Sequence, residues 1–151
     1  MNFEPKVTDQ AAFVAIWHNG ELLILQSRKW QTEGTPYLLP GGGCKKAGER
    51  RADAILLRDE TPTECTLVEL VEETGISLEM LDRFFGSHRT QWSDCSFFER
   101  TLERALPILL EKDKLFGYEW WNFEIDRKRI EALKPFMMPG LKWYLEQKGL
   151  L

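Results

Sequence analysis

Glu69, Glu72 and Glu73 stand at i, i+3 and i+4, so on a helix they share one face, opposite Leu67, Leu70 and Val71. Three carboxylates this close repel one another by roughly a few tenths of a kcal/mol per pair. No Lys or Arg at helical spacing neutralises them; the neighbours within the helix are Thr, Leu and Val. A hard divalent cation would. Mg²⁺ prefers oxygen ligands and bridges protein carboxylates to substrate phosphates. A merely solvated acidic face is the plainer alternative for three glutamates taken alone.

The helix that must carry them is marked at both ends. Thr61-Pro62-Thr63-Glu64 is a capping box with proline at the first helical position. Gly75 falls where a left-handed C-terminal cap belongs. Upstream, Ala12 to Trp17 and Leu22 to Leu25 read as two antiparallel strands joined by a turn at Asn19-Gly20. Tyr37-Leu38-Leu39 is a short apolar run stopped by Pro40-Gly41-Gly42-Gly43. Downstream, Tyr118 to Ile125 reads as a strand, Asp126 as the cap of a short helix to Leu133, and Leu141 to Lys148 as a terminal helix. Strands and helices mix without regular alternation, which indicates an α+β fold or a layered mixed sheet.

Composition narrows the class. The chain has 151 residues, enough for one domain, with 43% hydrophobic and 29% charged residues. A net charge of −4 argues against a general nucleic-acid coat, which needs a basic surface. The longest apolar runs, such as Leu22 to Leu25, are far short of a bilayer span. Met1 to Lys6 holds no apolar signal core. Cys44, Cys65 and Cys95 are odd in number and form no CxxC, so neither a disulfide framework nor a cysteine zinc site is indicated. The expectation is a cytoplasmic single domain.

In this context the acidic helix resembles the signature of the Nudix hydrolase family. Glu60, seven residues, then Val68-Glu69-Leu70-Val71-Glu72-Glu73-Thr74-Gly75-Ile76 follows the second half of that signature, and Leu39 to Gly43 looks like its glycine-rich opening. The hairpin leading to Arg28 fits the usual approach to the glycines. The resemblance implies an α/β/α sandwich around a mixed sheet over most of the chain, Mg²⁺ or Mn²⁺ as cofactor, and a small nucleotide-type substrate. It implies Glu69, Glu72 and Glu73 as metal ligands, with Glu69 also as general base, and Glu60 as a supporting carboxylate. Gly41, Gly42, Gly43 and Arg28 are expected on the substrate side, the glycines because their backbone can approach a phosphate or metal closely.

Two departures stand out. Sixteen residues separate Gly43 from Glu60, where the signature has five, so about eleven are inserted near 44–58. Five residues separate Gly43 from Glu49, and Gly48-Glu49 imitates the expected Gly-Glu, but no Glu-rich helix follows at the right distance. The family's arginine, which there helps hold the neighbouring carboxylates, is Val68, which can neither donate a hydrogen bond nor pair a charge. The insertion carries Lys45, Lys46, Arg50, Arg51 and Arg58 against Glu49 and Asp53, and reads as a solvated elaboration or as a basic flap over an anionic substrate. Ala52 and Ala54 to Leu57 would form its apolar side.

A further ligand outside the signature is expected at Glu119, beside Trp120-Trp121, with Glu111 and Glu99 left open. Tyr37, Phe98, Trp120 and Trp121 could stack on a base, but large aromatics are more often core. His18, His88 and Cys65 are given no chemistry. The expected function is metal-dependent hydrolysis of a phosphoanhydride in a nucleoside diphosphate linked to another group. The alternative, kept open by Val68 and the insertion, is a domain that binds nucleotides or a partner with little turnover.

Overall fold

The computed structural model describes residues 9–90 and 93–151. The segment Met1 to Lys6 read for a signal core lies outside them. The strands are β1 (Gln10–His18), β2 (Glu21–Ser27), β3 (Tyr37–Leu38), β4 (Gly41–Gly43), β5 (Arg50–Arg51), β6 (Ala54–Ile55), β7 (Arg83–Arg89), β8 (Asp94–Thr101) and β9 (Leu115–Asn122). The helices are α1 (Arg28–Gln31), α2 (Pro62–Thr74), α3 (Arg127–Ala132) and α4 (Pro139–Gln147).

Seven strands form one mixed sheet with the path β3-β2-β1-β8-β7, to which β4 adds against β1 and β9 against β2. Among the described strands only β1 and β8 pair in parallel; β1–β2, β1–β4, β2–β3, β2–β9 and β7–β8 are antiparallel. The β1–β2 turn holds Asn19 at φ 49° and Gly20 at φ 75°. Those left-handed values match the twist of a two-residue hairpin, which is why Asn-Gly stands there.

Alternation along β1 divides the core in two. Ala12, Val14 and Ile16 face Leu23, Leu25, Phe98 and the α2 residues Cys65 and Leu70. Ala11 and Ala15 face Leu22, Ile24, Phe97, Trp121, Ile130 of α3, and Leu141, Tyr144 and Leu145 of α4. The sheet is therefore covered by α2 on one side and by α3 and α4 on the other: a mixed α+β sandwich, as expected. Truncating a fully buried residue such as Leu70 to alanine would cost about 2–5 kcal/mol.

Both α2 caps form. The Thr61 hydroxyl accepts from the Glu64 N–H, and the Glu64 carboxylate accepts from the Thr61 N–H. Gly75 ends the helix at φ 74°, its N–H donating to Val71. Elsewhere boundaries shift. The late strand runs over 115–122, not 118–125, because the Asn122 side chain accepts from the N–H groups of Glu124 and Ile125 and turns the chain. Asp126 precedes α3 without a side-chain cap. The terminal helix begins at Pro139, two residues before Leu141. The insertion buries no apolar side. It holds the two-stranded β5–β6 hairpin, with Ile55 exposed and Leu57 98% exposed.

Candidate active site

The site is built where α2 meets β4. Close approach requires glycine at 41 and leaves little room for a side chain at 42. Gly41 has φ 151°, and a Cβ there would lie 2.2 Å from the Ala12 carbonyl oxygen. A Cβ on Gly42 would stand 3.0 Å from the carboxyl carbon of Glu69. Gly43 pairs with Ala11, and a Cβ there would meet open space. The glycine run thus lets β4 lie between β1 and the acidic face of α2. The Gly41 N–H donates to Glu73 Oε1 at 2.7 Å.

Glu73 is buried, and burial pushes its carboxyl up to about 8 against the Gly41 bond, with the charges of Glu69 and Glu111 adding to the rise. Glu69 and Glu72 lie one turn apart and share a cation that is not on their helix. Arg51 Nη1 is 2.9 Å from Glu69 Oε1 and 3.4 Å from Glu72 Oε2. The same guanidinium grips Glu60 with two bonds, Nη2 to Oε1 at 2.6 Å and Nε to Oε2 at 2.8 Å. Burial alone would raise the Glu60 carboxyl; the bonds from Arg51 and from the Lys45 N–H outweigh it and hold Glu60 below the usual range.

Glu119 does not join this group. It pairs across the sheet with Ile24, on the α3–α4 side, where Arg129 Nη2 donates to it and Gln26 Nε2 lies 2.8 Å away. Glu99 is on that side too, bonded to Tyr144, Arg83 and Lys148, and so pins α4 to the sheet. Glu111 lies nearer the α2 acids, its side chain 3.8 Å from Lys114 Nζ. The segment before β9 runs along the end of α2, with Leu109 N–H donating to the Thr74 carbonyl at 2.8 Å and Glu111 N–H to the Glu73 carbonyl at 3.1 Å. Those bonds satisfy carbonyls that a helix end leaves open. Arg28 is exposed and donates from Nε to the Lys112 carbonyl at 2.8 Å, tying α1 to the loop that carries Glu111.

The basic insertion is largely neutralised by the protein itself. Lys46 pairs with Asp9 at 3.5 Å, Arg58 with Glu64 at 2.7 Å, and Arg51 turns inward. Glu49 accepts from the Lys46 N–H inside its own loop. Trp121 and Phe98 are buried core, while Tyr37, packed on Trp121 with centroids 5.4 Å apart, and Trp120, edge-on to His18, stay partly open.

Whether these residues suit a divalent cation is a question of donor chemistry. Glu69, Glu72, Glu73 and Glu111 offer only hard oxygens, and Arg51 is the sole guanidinium bonded to Glu69 and Glu72 among the described residues. Such a set suits Mg²⁺ or Mn²⁺. Among the described residues no three acidic, histidine or cysteine side chains already stand gathered as a ligand group; Glu73 is turned to Gly41, and Glu69 and Glu72 to Arg51.

A mixed sheet between helices, with a capped acidic helix packed against a glycine strand, defines a class of fold and site. The family model of the NUDIX domain matches residues 8–140, and the chain belongs to that family. No curated protein matches the sequence. Solved structures share the fold at low identity. The MutT protein of Methanosarcina mazei matches with a TM-score of 0.63 and 18% identity over 92% of this chain and 91% of that one. A Caenorhabditis elegans Ap4A hydrolase matches at 0.59 and 16%, over 94% and 96%. An ADP-ribose pyrophosphatase of Streptococcus suis matches at 0.54 and 15%, over 77% and 75%. Among the described residues no helix is long and apolar enough to cross a membrane.

Proposed function

We propose that this chain, read as one domain with an insertion at 44–58, hydrolyses a phosphoanhydride bond in a small nucleoside diphosphate derivative with Mg²⁺ or Mn²⁺ as cofactor. The observation that carries the reading is the gathering of Glu60, Glu69 and Glu72 about Arg51 and of Glu73 onto Gly41 of the glycine strand, in a chain of the NUDIX family. Glu69, Glu72 and Glu73 would hold the cation, with Glu111 rather than Glu119 as the acid from outside the helix. The metal would supply charge neutralisation of the phosphates and an acidified water.

The protein's own groups have distinct work. Glu69 lies beneath Gly42 and is the base we assign to the proton of the attacking water. Glu60 holds Arg51 and the Lys45 backbone and stays ionised away from the reacting atoms. Gly42 and Gly43 leave the strand's outer surface free of side chains, so that phosphate oxygens can approach the backbone. Arg28 stands with the Glu111 loop at the edge of the site, as a cation for the substrate's far end. A cytoplasmic location accords with three free cysteines.

The names of two fold neighbours suggest Ap4A and ADP-ribose for the panel, to which nucleoside triphosphates are added as simple phosphoanhydrides. Cleavage of at least one panel compound with Mn²⁺ or Mg²⁺ is expected, followed by chromatographic identification of the nucleoside phosphate and the second phosphorylated product. Glu69→Gln, nearly isosteric, should keep the fold and lose about a hundredfold or more in turnover. A folded Glu69→Gln protein with unchanged rates would remove the assignment. Binding of these compounds with no turnover of any would favour a binding domain.

A further inference from the structure

Position 68 is valine, and no residue of α2 offers a cation to Glu69 or Glu72. The cation comes instead from the insertion. Arg51 ends β5, and its side chain is 8% exposed, while Arg50 beside it is exposed. A buried guanidinium needs nearly all its donors met. Here Nε, Nη1 and Nη2 all bond carboxylates.

The hairpin is fixed in two ways. Arg50 pairs with Ile55 and Arg51 with Ala54, and Ala52 takes the left-handed φ of 53° that the tight turn demands. At its base, Glu60 N–H donates to the Lys45 carbonyl and Glu60 Oε1 accepts from the Lys45 N–H. Glu60 therefore clamps both ends of the insertion and, by two bonds, the plane of the Arg51 guanidinium. With Nε and Nη2 committed to Glu60, Nη1 has one direction left, and it meets Glu69 and Glu72. The two-pronged grip sets that direction in a way a single ammonium cannot reproduce.

We propose that Arg51 is the positioning residue for Glu69 and Glu72, so that the insertion supplies the guanidinium that position 68 lacks. The inserted hairpin is then part of the catalytic apparatus rather than a surface elaboration. This rests on the metal-dependent hydrolase reading above.

The test compares wild type, Arg51→Gln and Arg51→Lys by Mn²⁺ titration followed by electron paramagnetic resonance, by thermal melting, and by kcat and KM on whichever panel compound is cleaved. A nearby positive charge with no positioning role would, on removal, let Mn²⁺ bind more tightly. Positioning gives the opposite sign. Mn²⁺ affinity and kcat should each fall by about 10–100-fold in Arg51→Gln, as for other groups that orient metal ligands, with KM within about threefold. Arg51→Lys keeps the charge without the fork and should recover the melting temperature but only part of the Mn²⁺ affinity; it carries the test if the Gln protein does not fold. Unchanged or tighter Mn²⁺ binding in a folded variant overturns the proposal while leaving the hydrolase reading intact. A wild-type protein that neither binds Mn²⁺ nor cleaves any panel compound overturns the hydrolase reading, and Arg51 with it becomes a structural ion pair.

Discussion

Oε1 of Glu73 accepts the Gly41 N–H at 2.7 Å, so the most buried carboxyl of the acidic face is fastened to the glycine strand. Burial raises that carboxyl to about 8, whereas in an unfolded chain a glutamate titrates near ~4.3. Between those values the metal-free folded state holds a proton that the unfolded state has released. Stability of the metal-free protein must then fall as pH rises from about 4.3 to about 8 and level off beyond. Glu73→Gln keeps an acceptor for Gly41 and removes the titration. Its melting temperature with a chelator present should exceed that of wild type at pH 9, and the difference should close at pH 5. Parallel curves from pH 5 to 9 would mean that Glu73 ionises at no cost in the fold.

Neighbouring glycines separate stability from activity. At Gly41 a Cβ would run into backbone, the Ala12 oxygen at 2.2 Å, which cannot yield without moving β1. Gly41→Ala should therefore destabilise the fold by several kcal/mol, roughly 3 or more. At Gly42 the obstacle is the Glu69 carboxyl at 3.0–3.1 Å, which can swing away only by loosening its bond to Arg51. Gly42→Ala should melt within a few degrees of wild type yet lose turnover by about tenfold or more, because small displacements of a reacting group are costly. Normal kcat in Gly42→Ala would show that Glu69 has room to spare.

Glu111 and Glu119 give a contrast on opposite sides of the sheet. Glu119 is committed to Arg129 and Gln26, and Glu111 lies against the end of α2 beside Glu73. Glu111→Gln should weaken Mn²⁺ binding by about tenfold, in the range seen when groups supporting a metal are lost. Glu119→Gln should leave the Mn²⁺ dissociation constant unchanged and lower stability by about 1 kcal/mol through its partly exposed ion pair. The reverse pattern in isothermal titration would restore Glu119 to the site.

What the chain declared about itself was mostly local. The α2 caps, the Asn19-Gly20 turn and the spacing of Glu69, Glu72 and Glu73 each depend on residues within a turn or two of one another, and all of those elements form. Two placements at and around the site depended on distance along the chain. Glu119 sits beside tryptophans in a strand, but which face it takes depends on its register with Ile24, which no local pattern states. Arg51 was visible as one of several basic residues of the insertion, and the cue was an acidic helix with no arginine of its own. Choosing Arg51 over Lys45, Lys46, Arg50 or Arg58 needed the hairpin that turns one of them inward.

The remaining prediction joins the metal to stability. With Arg51 as the one cation bonded to Glu69 and Glu72 among the described residues, the acidic face keeps an excess of negative charge in the fold that an unfolded chain can spread apart. A cation that binds the folded arrangement and not the unfolded chain must stabilise the fold by mass action. At a free concentration about a hundred times its dissociation constant the gain is roughly 2.7 kcal/mol. For a domain of this size that corresponds to a rise in Tm of about 5–10 °C. The double variant Glu72→Gln/Glu73→Gln removes two of the expected ligands while leaving the bonds between Arg51, Glu60 and Glu69 in place. It should melt slightly above wild type without metal, and its Tm should not respond to Mn²⁺. Melting curves at pH 8.5, where Glu73 is largely able to release its proton, make the comparison cleanest. Equal Mn²⁺ shifts in wild type and double variant would put the ion elsewhere on the protein, and the acidic face of α2 would be a solvated surface held in order by Arg51.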